Sequence, residues 1–373
     1  MKTVIVGTVA NSLINFRASL ILELARQGHE VFAFSVDYSD ETKKEVRSLG
    51  AIPVDYGMSR TGMNPLSDFI QMLKLLVEIR RIKPDVCFCY FAKPVIFGTF
   101  AAWMAGVKRR FGMIEGLGYA FTAQPQGKSI KANALCWIQT FLYKMSIPLL
   151  NGVFFLNKDD VSDLVIKNRI KCKSIFILGG IGVNMDVHRY SDPVTSPIRF
   201  IFVGRLLVEK GIYEYLAAAE KVKNKYPGVE FIVLGGLDEG NPGGVSLCEI
   251  ERLVAKGVII FPGVVNDVNN WMKKSSVFVL PSYREGYPRS TQEAMSIGRP
   301  VITTSTPGCR ETVIDGVNGF LVPPFSSDAI AERMEFFINN VSAIKGMSLK
   351  SREMALEQYD EVIVSRKVVK LIS

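Results

Sequence analysis

The sequence predicts an α/β protein of two doubly wound, Rossmann-like domains facing a cleft. Three observations carry that expectation. Short apolar runs alternate with helix-period segments along the whole chain, and the second half repeats the plan of the first. The 373 residues exceed one ordinary core and suit two domains of similar size. Apolar strands spaced by amphipathic helices belong to a parallel sheet covered on both faces.

In the first half the expected strands are Thr3–Val6, Val31–Ser35, Ile52–Asp55, Val86–Tyr90, Arg110–Ile114 and Gly152–Leu156. The start, MKTVIVGTVANSL, passes directly into the amphipathic NFRASLILELARQGHEV, so it reads as a strand and helix rather than a signal peptide. Ser67–Ile82 is an amphipathic helix ending at Lys83-Pro84. Cys87 and Cys89 alternate inside an apolar run and read as a buried strand. Cys136, Cys172, Cys248 and Cys309 show no paired metal spacing, so reduced thiols in the cytoplasm are expected. The second half continues with Arg199–Val203, Glu230–Leu234, Val258–Phe261, Val277–Leu280, Pro300–Thr303 and Gly319–Val322. Tyr190–Pro197 is polar, holds two prolines and reads as the linker. The expected division is 1–186 and 187–348, with a helical segment over 349–373 returning to the first domain. No apolar run approaches the roughly 18–20 residues that span a bilayer.

Charge is uneven. Residues 1–186 hold 23 Lys and Arg against 15 Asp and Glu, a net of +8, whereas the remainder holds 22 against 21. The first half should therefore meet phosphate groups or an acidic membrane surface. Nucleic acid is disfavoured, because no basic helix or aromatic–basic repeat occurs.

Three loops at strand ends in the second half are candidates for chemistry. In Gly204–Gly211, a glycine frees the backbone while Arg205, as a fork, and Lys210, as a point charge, converge on an anion. The second loop carries Gly235 and Gly236. The third, SYREGYPRSTQEAMSIGRP, follows Val277–Leu280. There Pro288 suits a first helical turn, so a helix over Pro288–Ile297 would point its amides at phosphate. Glu293 is placed to accept from a ribose diol, and Glu285 faces whatever the phosphates carry. Each glutamate alone reads as a solvated surface residue; the spacing together with Arg205 and Lys210 favours a site. No GxGxxG follows the first strand and no Walker A sequence occurs, which removes the main supports for a dehydrogenase or an NTPase. The absence of an Asp-x-Asp pair removes the usual clamp for a divalent metal. His29 reads as structural, and His188 near the linker is given no catalytic role.

These residues resemble a family. REGYPRSTQEAMSIGRPVI is similar to the E-x7-E motif of retaining GT-B glycosyltransferases of family 4, VGRLLVEKG to that family's diphosphate loop, and GIGVNMDVHRY to its interdomain segment. SRTGMNP, EGLGYAF, GKSIKANALCWIQTFLYKMS and VLGGLDEGNP further resemble bacterial α-1,3-N-acetylgalactosaminyltransferases acting on polyprenyl-diphosphate sugars. The resemblance implies transfer of a sugar, GalNAc first and Gal, Glc or GlcNAc as alternatives, from UDP to an undecaprenyl-diphosphate-linked saccharide. No metal or cofactor is expected, since the UDP-sugar is a substrate. It further implies that Arg205 and Lys210 offset charge on the leaving UDP. Glu285 would contact the donor sugar and Glu293 the ribose. Gly286, Tyr287, Pro288, Gly204, Gly235 and Gly236 would line the donor. Where the family commonly has a catalytic-site histidine in the first domain, this sequence has Glu115, a catalytic candidate that either takes over the histidine's sugar-binding role or shapes the loop. Arg60, Lys93, Asn15 and Arg17 are acceptor-binding candidates. Lys108, Arg109, Arg110, Lys128, Lys131, Trp137 and Lys144, with Trp103, Phe141 and Tyr143, form the expected membrane-facing set. A non-hydrolysing UDP-sugar epimerase and a non-catalytic sugar-nucleotide or lipid-binding module stay open at this point.

Overall fold

The computed structural model describes residues 1–58, 65–124, 127, 129–238 and 243–373. The chain divides into two compact units. Unit 1 is Met1–Ala120, Ile130–Ile181 and Glu361–Ser373; unit 2 is Phe121–Ser129 and Gly182–Asp360. The division falls between Ile181 and Gly182, where the sequence reading has 186/187.

In unit 1 the strands among the described residues are β1 Lys2–Val6, β2 Glu30–Ser35, β3 Ala51–Asp55, β4 Val86–Tyr90, β5 Arg109–Ile114, β6 Gly152–Phe155 and β7 Ile175–Ile177. They form one parallel sheet of order β3-β2-β1-β4-β5-β6-β7. β4 and β6 are buried at every position, as strands covered on both faces must be. The helices are α1 Ala10–Phe16, α2 Ala18–Arg26, α3 Asp40–Ser48, α4 Pro65–Ile82, α5 Thr99–Met104, α6 Ile130–Ser146 and the single turn α7 Lys158–Asp160. α3 begins at a capping box in which Ser39 and Thr42 serve each other's backbone N–H.

Unit 2 repeats the design with β8 Arg199–Val203, β9 Glu230–Leu234, β10 Ile260–Gly263, β11 Val277–Leu280, β12 Val301–Thr304 and β13 Gly319–Val322. Its parallel order is β10-β9-β8-β11-β12-β13. The helices are α8 Ile212–Lys225, α9 Leu247–Ala255, α10 Val268–Lys273, α11 Arg289–Ile297, α12 Ser327–Asn339 and α13 Val341–Gln358. α14, Glu361–Ile372, belongs to unit 1, where Val368, Val369 and Ile372 pack in one core with Leu20, Ile21 and Leu24 of α2. The segment 349–373 is thus the end of one helix and the whole of another, divided at Tyr359–Asp360.

Two elements differ from the sequence reading. β10 lies two residues later than Val258–Phe261; Val258 and Ile259 are buried ahead of the strand, and its register against β9 is irregular. β7 was not foreseen, because a three-residue edge strand with two exposed isoleucines leaves no periodic signal.

Both sheets have a switch point. The chain leaves β1 for β2 on one side and re-enters at β4 on the other; β8, β9 and β11 do the same. In open α/β sheets ligands bind outside the strand carboxyl ends at such points.

Candidate active site

At the switch point of unit 2 the loops after β8 and β11 are laced together. Gly211 ends the first loop with φ 70°, and a Cβ there would lie 2.1 Å from the Pro281 carbonyl oxygen, so only glycine permits the approach. The Tyr283 amide donates to the Glu209 carbonyl (2.9 Å). This brings Lys210 Nζ to 2.5 Å from Glu285 Oε1, which also accepts from Ser282 Oγ at 2.8 Å. The Glu285 amide donates to the Pro307 carbonyl (2.9 Å). The site is therefore a fixed carboxylate and ammonium at the mouth of a parallel sheet.

Arg205 does not join that pair. It reaches Asp238 at 3.2 Å and is more than half exposed. Gly204 and Gly235 lie back to back: Gly235 has φ 145°, and a Cβ on it would sit 1.8 Å from the Gly204 oxygen. Gly236 follows as the next turn of the same loop.

α11 starts at Arg289 with Pro288 as its N-cap in an extended conformation, and no side chain caps it. Its first turn thus offers backbone amides and the positive end of the dipole. Gly286 and Tyr287 lead into it. Tyr287 is a buried anchor: its hydroxyl shares a hydrogen bond with Tyr359 Oη (2.8 Å) and donates to the Glu311 carbonyl (3.1 Å). Burial pushes that phenol up to about 12. Glu293, in the second turn, pairs with Arg289 at 2.9 Å and lies 3.9 Å from His188 Nε2. The sequence reading left His188 without a role. Burial lowers its imidazole below the usual range, and the neighbouring Glu293 carboxylate opposes that shift. The segment GIGVNMDVHRY was the signal that could have pointed to it.

Unit 1 has a pocket of about 550 Å³ at its own switch point, lined by residues that include Thr8, Asn11, Asn15, Asp37, Phe91 and Lys93. Asn15 and Lys93 of the acceptor candidates are therefore here. Lys93 lies 2.9 Å from the buried Asp68. Arg17 is not open to a ligand in this pocket. It stands at the break between α1 and α2, its side chain is 3 % exposed, and its guanidinium pairs with Glu115 and sits 4.5 Å over the Tyr90 ring. A guanidinium so buried needs that partner. The structure thus joins an acceptor candidate and a catalytic candidate in one ion pair. Arg60 and Lys128 lie outside the described residues.

Of the membrane-facing set, Lys108, Lys131, Lys144 and Trp137 are exposed, and Trp137 stacks on Phe141. Arg109 is half-buried. Arg110 turns inward, its Nε donating to the Leu149 carbonyl and its Nη1 to Val107, and Tyr143 is fully buried in the unit. Missed by sequence, α4 exposes Leu66, Phe69, Ile70, Leu73 and Val77 along one stripe.

Two family models match the chain: glycosyl transferases group 1 over residues 187–354, and glycosyl transferase 4-like over 7–146. The protein is a glycosyltransferase, its second half matching the group 1 model and its first half the 4-like model. This glycosyltransferase is 26 % identical to the N,N'-diacetylbacillosaminyl-diphospho-undecaprenol alpha-1,3-N-acetylgalactosaminyltransferase of Campylobacter jejuni, over 96 % of this chain and 95 % of that one. It is 23 % identical to the capsular polysaccharide biosynthesis glycosyltransferase CapM of Staphylococcus aureus, over 80 % of this chain and 79 % of CapM. Among solved structures, Anabaena HepE in complex with UDP and glucose superposes with a TM-score of 0.78 at 16 % identity, covering 100 % of this chain and 99 % of HepE. The glycosyltransferase has the GT-B fold of two parallel-sheet, Rossmann-like domains.

Proposed function

We propose that the enzyme is a retaining, metal-independent transferase that moves a hexose, GalNAc first among the donors, from UDP to an undecaprenyl-diphosphate-linked saccharide in surface glycan assembly. The observation that carries this reading is the Lys210–Glu285–Ser282 cluster at the switch point of unit 2, eight residues before Glu293 on a helix whose start is uncapped. A relative that uses a lipid-linked acceptor, over nearly its whole length, supports the acceptor class.

In this scheme the start of α11, Lys210 and Arg205 take the negative charge that grows on the leaving diphosphate. Charge that develops in the transition state is best met by groups already in place. Arg205 would exchange Asp238 for phosphate. Glu293 would hold the ribose, and Glu285, released from Lys210, would face the hexose near its anomeric carbon. In a front-face reaction the C1–O bond to UDP breaks as the acceptor oxygen forms its bond on the same face. The leaving phosphate oxygen takes the acceptor's proton, so no protein base enters.

The enzyme would work peripherally at the anionic cytoplasmic face of the membrane. No helix among the described residues is long and apolar enough to cross it. The exposed stripe of α4 with Trp103, Trp137 and Phe141, interspersed with Lys108, Lys131 and Lys144, suits shallow insertion among anionic headgroups.

The test is a panel of UDP-Gal, UDP-Glc, UDP-GlcNAc and UDP-GalNAc with undecaprenyl-diphosphate-GlcNAc, in EDTA, with product NMR. An α-linked disaccharide on the lipid, formed best from UDP-GalNAc, is expected. A β-linked product or strict dependence on a divalent ion overturns the mechanism.

A further inference from the structure

We infer that Phe91 is the platform on which the acceptor's sugar ring lies, making the unit 1 pocket a seat for a neutral pyranose. The inference deepens the acceptor reading above and rests on it.

Phe91 has φ 70°, in the left-handed region that a bulky residue avoids. Three other non-glycine residues among those described share that region. Lys83 and Arg169 end helical turns, their amides donating back to Ile79 and Ile166, and Phe325 lies 4.4 Å from Tyr283 at the other unit's strand ends. Phe91 sits between the end of β4 and the helical turns that start at Pro94. Strain of this kind persists only where the surroundings over-determine it, and it clusters at functional sites.

The surroundings do over-determine it. The Phe91 ring packs on Tyr90 at 4.8 Å, and its carbonyl accepts from the Val95 amide at 3.0 Å. Tyr90 is fixed by a 2.8 Å hydrogen bond between its hydroxyl and Ser12 Oγ, and by the Arg17 guanidinium over its face. Gly7 leaves the room: a Cβ there would lie 2.2 Å from Tyr90 Oη. What this buttress holds in place is a half-buried aromatic residue, packed in part on the core of unit 1, that lines a 550 Å³ pocket.

The other groups in that wall identify the ligand class. Asn11, Asn15 and Asp37 are exposed there, and Asp37 Oδ1 is anchored by the Ala10 amide (2.6 Å) and Ser35 Oγ (2.9 Å). Lys93 is balanced by Asp68, and Asp37 adds a negative charge, so the pocket is poorly suited to a diphosphate. One aromatic wall beside amide and carboxylate groups matches a sugar, which presents an apolar C–H face and a rim of hydroxyls. Lys93, an acceptor-binding candidate, would thereby shape a sugar pocket rather than grip a diphosphate.

The test uses the full-length enzyme with Phe91→Asn, which tolerates the left-handed backbone but removes the ring, and Phe91→Tyr, which keeps it. Initial rates are measured against undecaprenyl-diphosphate-GlcNAc and against UDP-sugar, with thermal denaturation as the check on folding. Phe91→Asn should raise the acceptor KM by about tenfold, a modest aromatic contact, with the donor KM unmoved. Phe91→Tyr should stay near wild type. An unchanged acceptor KM in Phe91→Asn, or acceptor and donor KM rising together, overturns the proposal. A wild-type enzyme inactive on lipid-linked sugars overturns the acceptor reading itself. Saturation-transfer NMR with soluble GlcNAc-1-diphosphate then decides the pocket separately: ring-proton saturation lost in Phe91→Asn supports it, and saturation retained refutes it.

Discussion

Replacing Lys210 by Ala removes the group on which the proposed chemistry most depends. In the resting enzyme its ammonium is 2.5 Å from Glu285 Oε1, and the two side chains are 22 % and 12 % exposed. With donor bound, a cation about 4 Å from the growing phosphate charge, at an effective dielectric near 20, contributes roughly 4 kcal/mol. At about 1.4 kcal/mol per tenfold in rate, its loss should lower kcat by about 10³. Stability should respond far less. Orphaning a fully buried charge costs about 3–5 kcal/mol, but Glu285 keeps the Ser282 hydroxyl and is partly solvated, so about 1–2 kcal/mol is expected, or roughly 2–8 °C in Tm. UDP release at saturating donor and acceptor measures the first effect, and calorimetry the second. The double variant Lys210→Met with Glu285→Gln separates them: it should recover Tm and leave kcat low. A Lys210→Ala enzyme within tenfold of wild-type kcat would refute the assigned role.

Four further outcomes follow from the geometry. Arg17→Leu leaves Glu115 as a largely buried lone carboxylate, so unfolding stability should fall by about 3 kcal/mol, and adding Glu115→Leu should restore part of it; denaturant melts decide this. Gly235→Ala puts a methyl into the Gly204 carbonyl at a φ that alanine rarely adopts, so donor affinity by calorimetric titration should fall by about tenfold or more, and an unchanged affinity counts against Gly235 in the donor site. Phe69→Glu with Trp137→Glu should abolish co-sedimentation with phosphatidylglycerol vesicles while leaving neutral phosphatidylcholine vesicles unbound throughout; retention of the double variant on anionic vesicles contradicts the proposed face. Burial lowers both His29 and His188, so between each folded pKa and the unfolded value near 6.5 the unfolded chain binds more protons; Tm should fall as pH drops from about 7 to 5, and His29→Asn with His188→Asn should flatten that slope.

The strands were legible because a parallel strand buried on both faces cannot disguise its composition. Every residue of β4, β6, β11 and β12 is buried, and each stands where the sequence shows an apolar run, save that β12 ends in the buried Thr303 and Thr304. The outward stripe of α4 was not legible, since periodicity tells which residues share a face but not whether anything covers it. The pairings within the sites were hidden for a different reason. Lys210 and Glu285 are 75 residues apart, Arg17 and Glu115 98 apart, and Tyr287 and Tyr359 72 apart. No local pattern encodes such contacts: the first follows from the strand order, which sets β11 beside β8, the second joins the helices after β1 to the loop after β5, two strands away, and the third joins the loop before α11 to the end of α13.

Arg17 shows how this misleads a reading from sequence. The sequence offers it, a basic residue between the first and second strands, as an acceptor-binding candidate. The chain breaks its helix at that residue, with φ −127° and ψ 3°, and the side chain turns instead to Tyr90 and Glu115. Phe91 carries no motif that would single it out. Its positive φ, a property no residue type announces, sets it half-buried at the pocket while Arg17 steadies the neighbouring Tyr90. On the proposal above, Phe91 takes the acceptor contact that the buried Arg17 is not placed to make. At a switch point the backbone at the strand end decides which side chain meets the ligand and which one supports it.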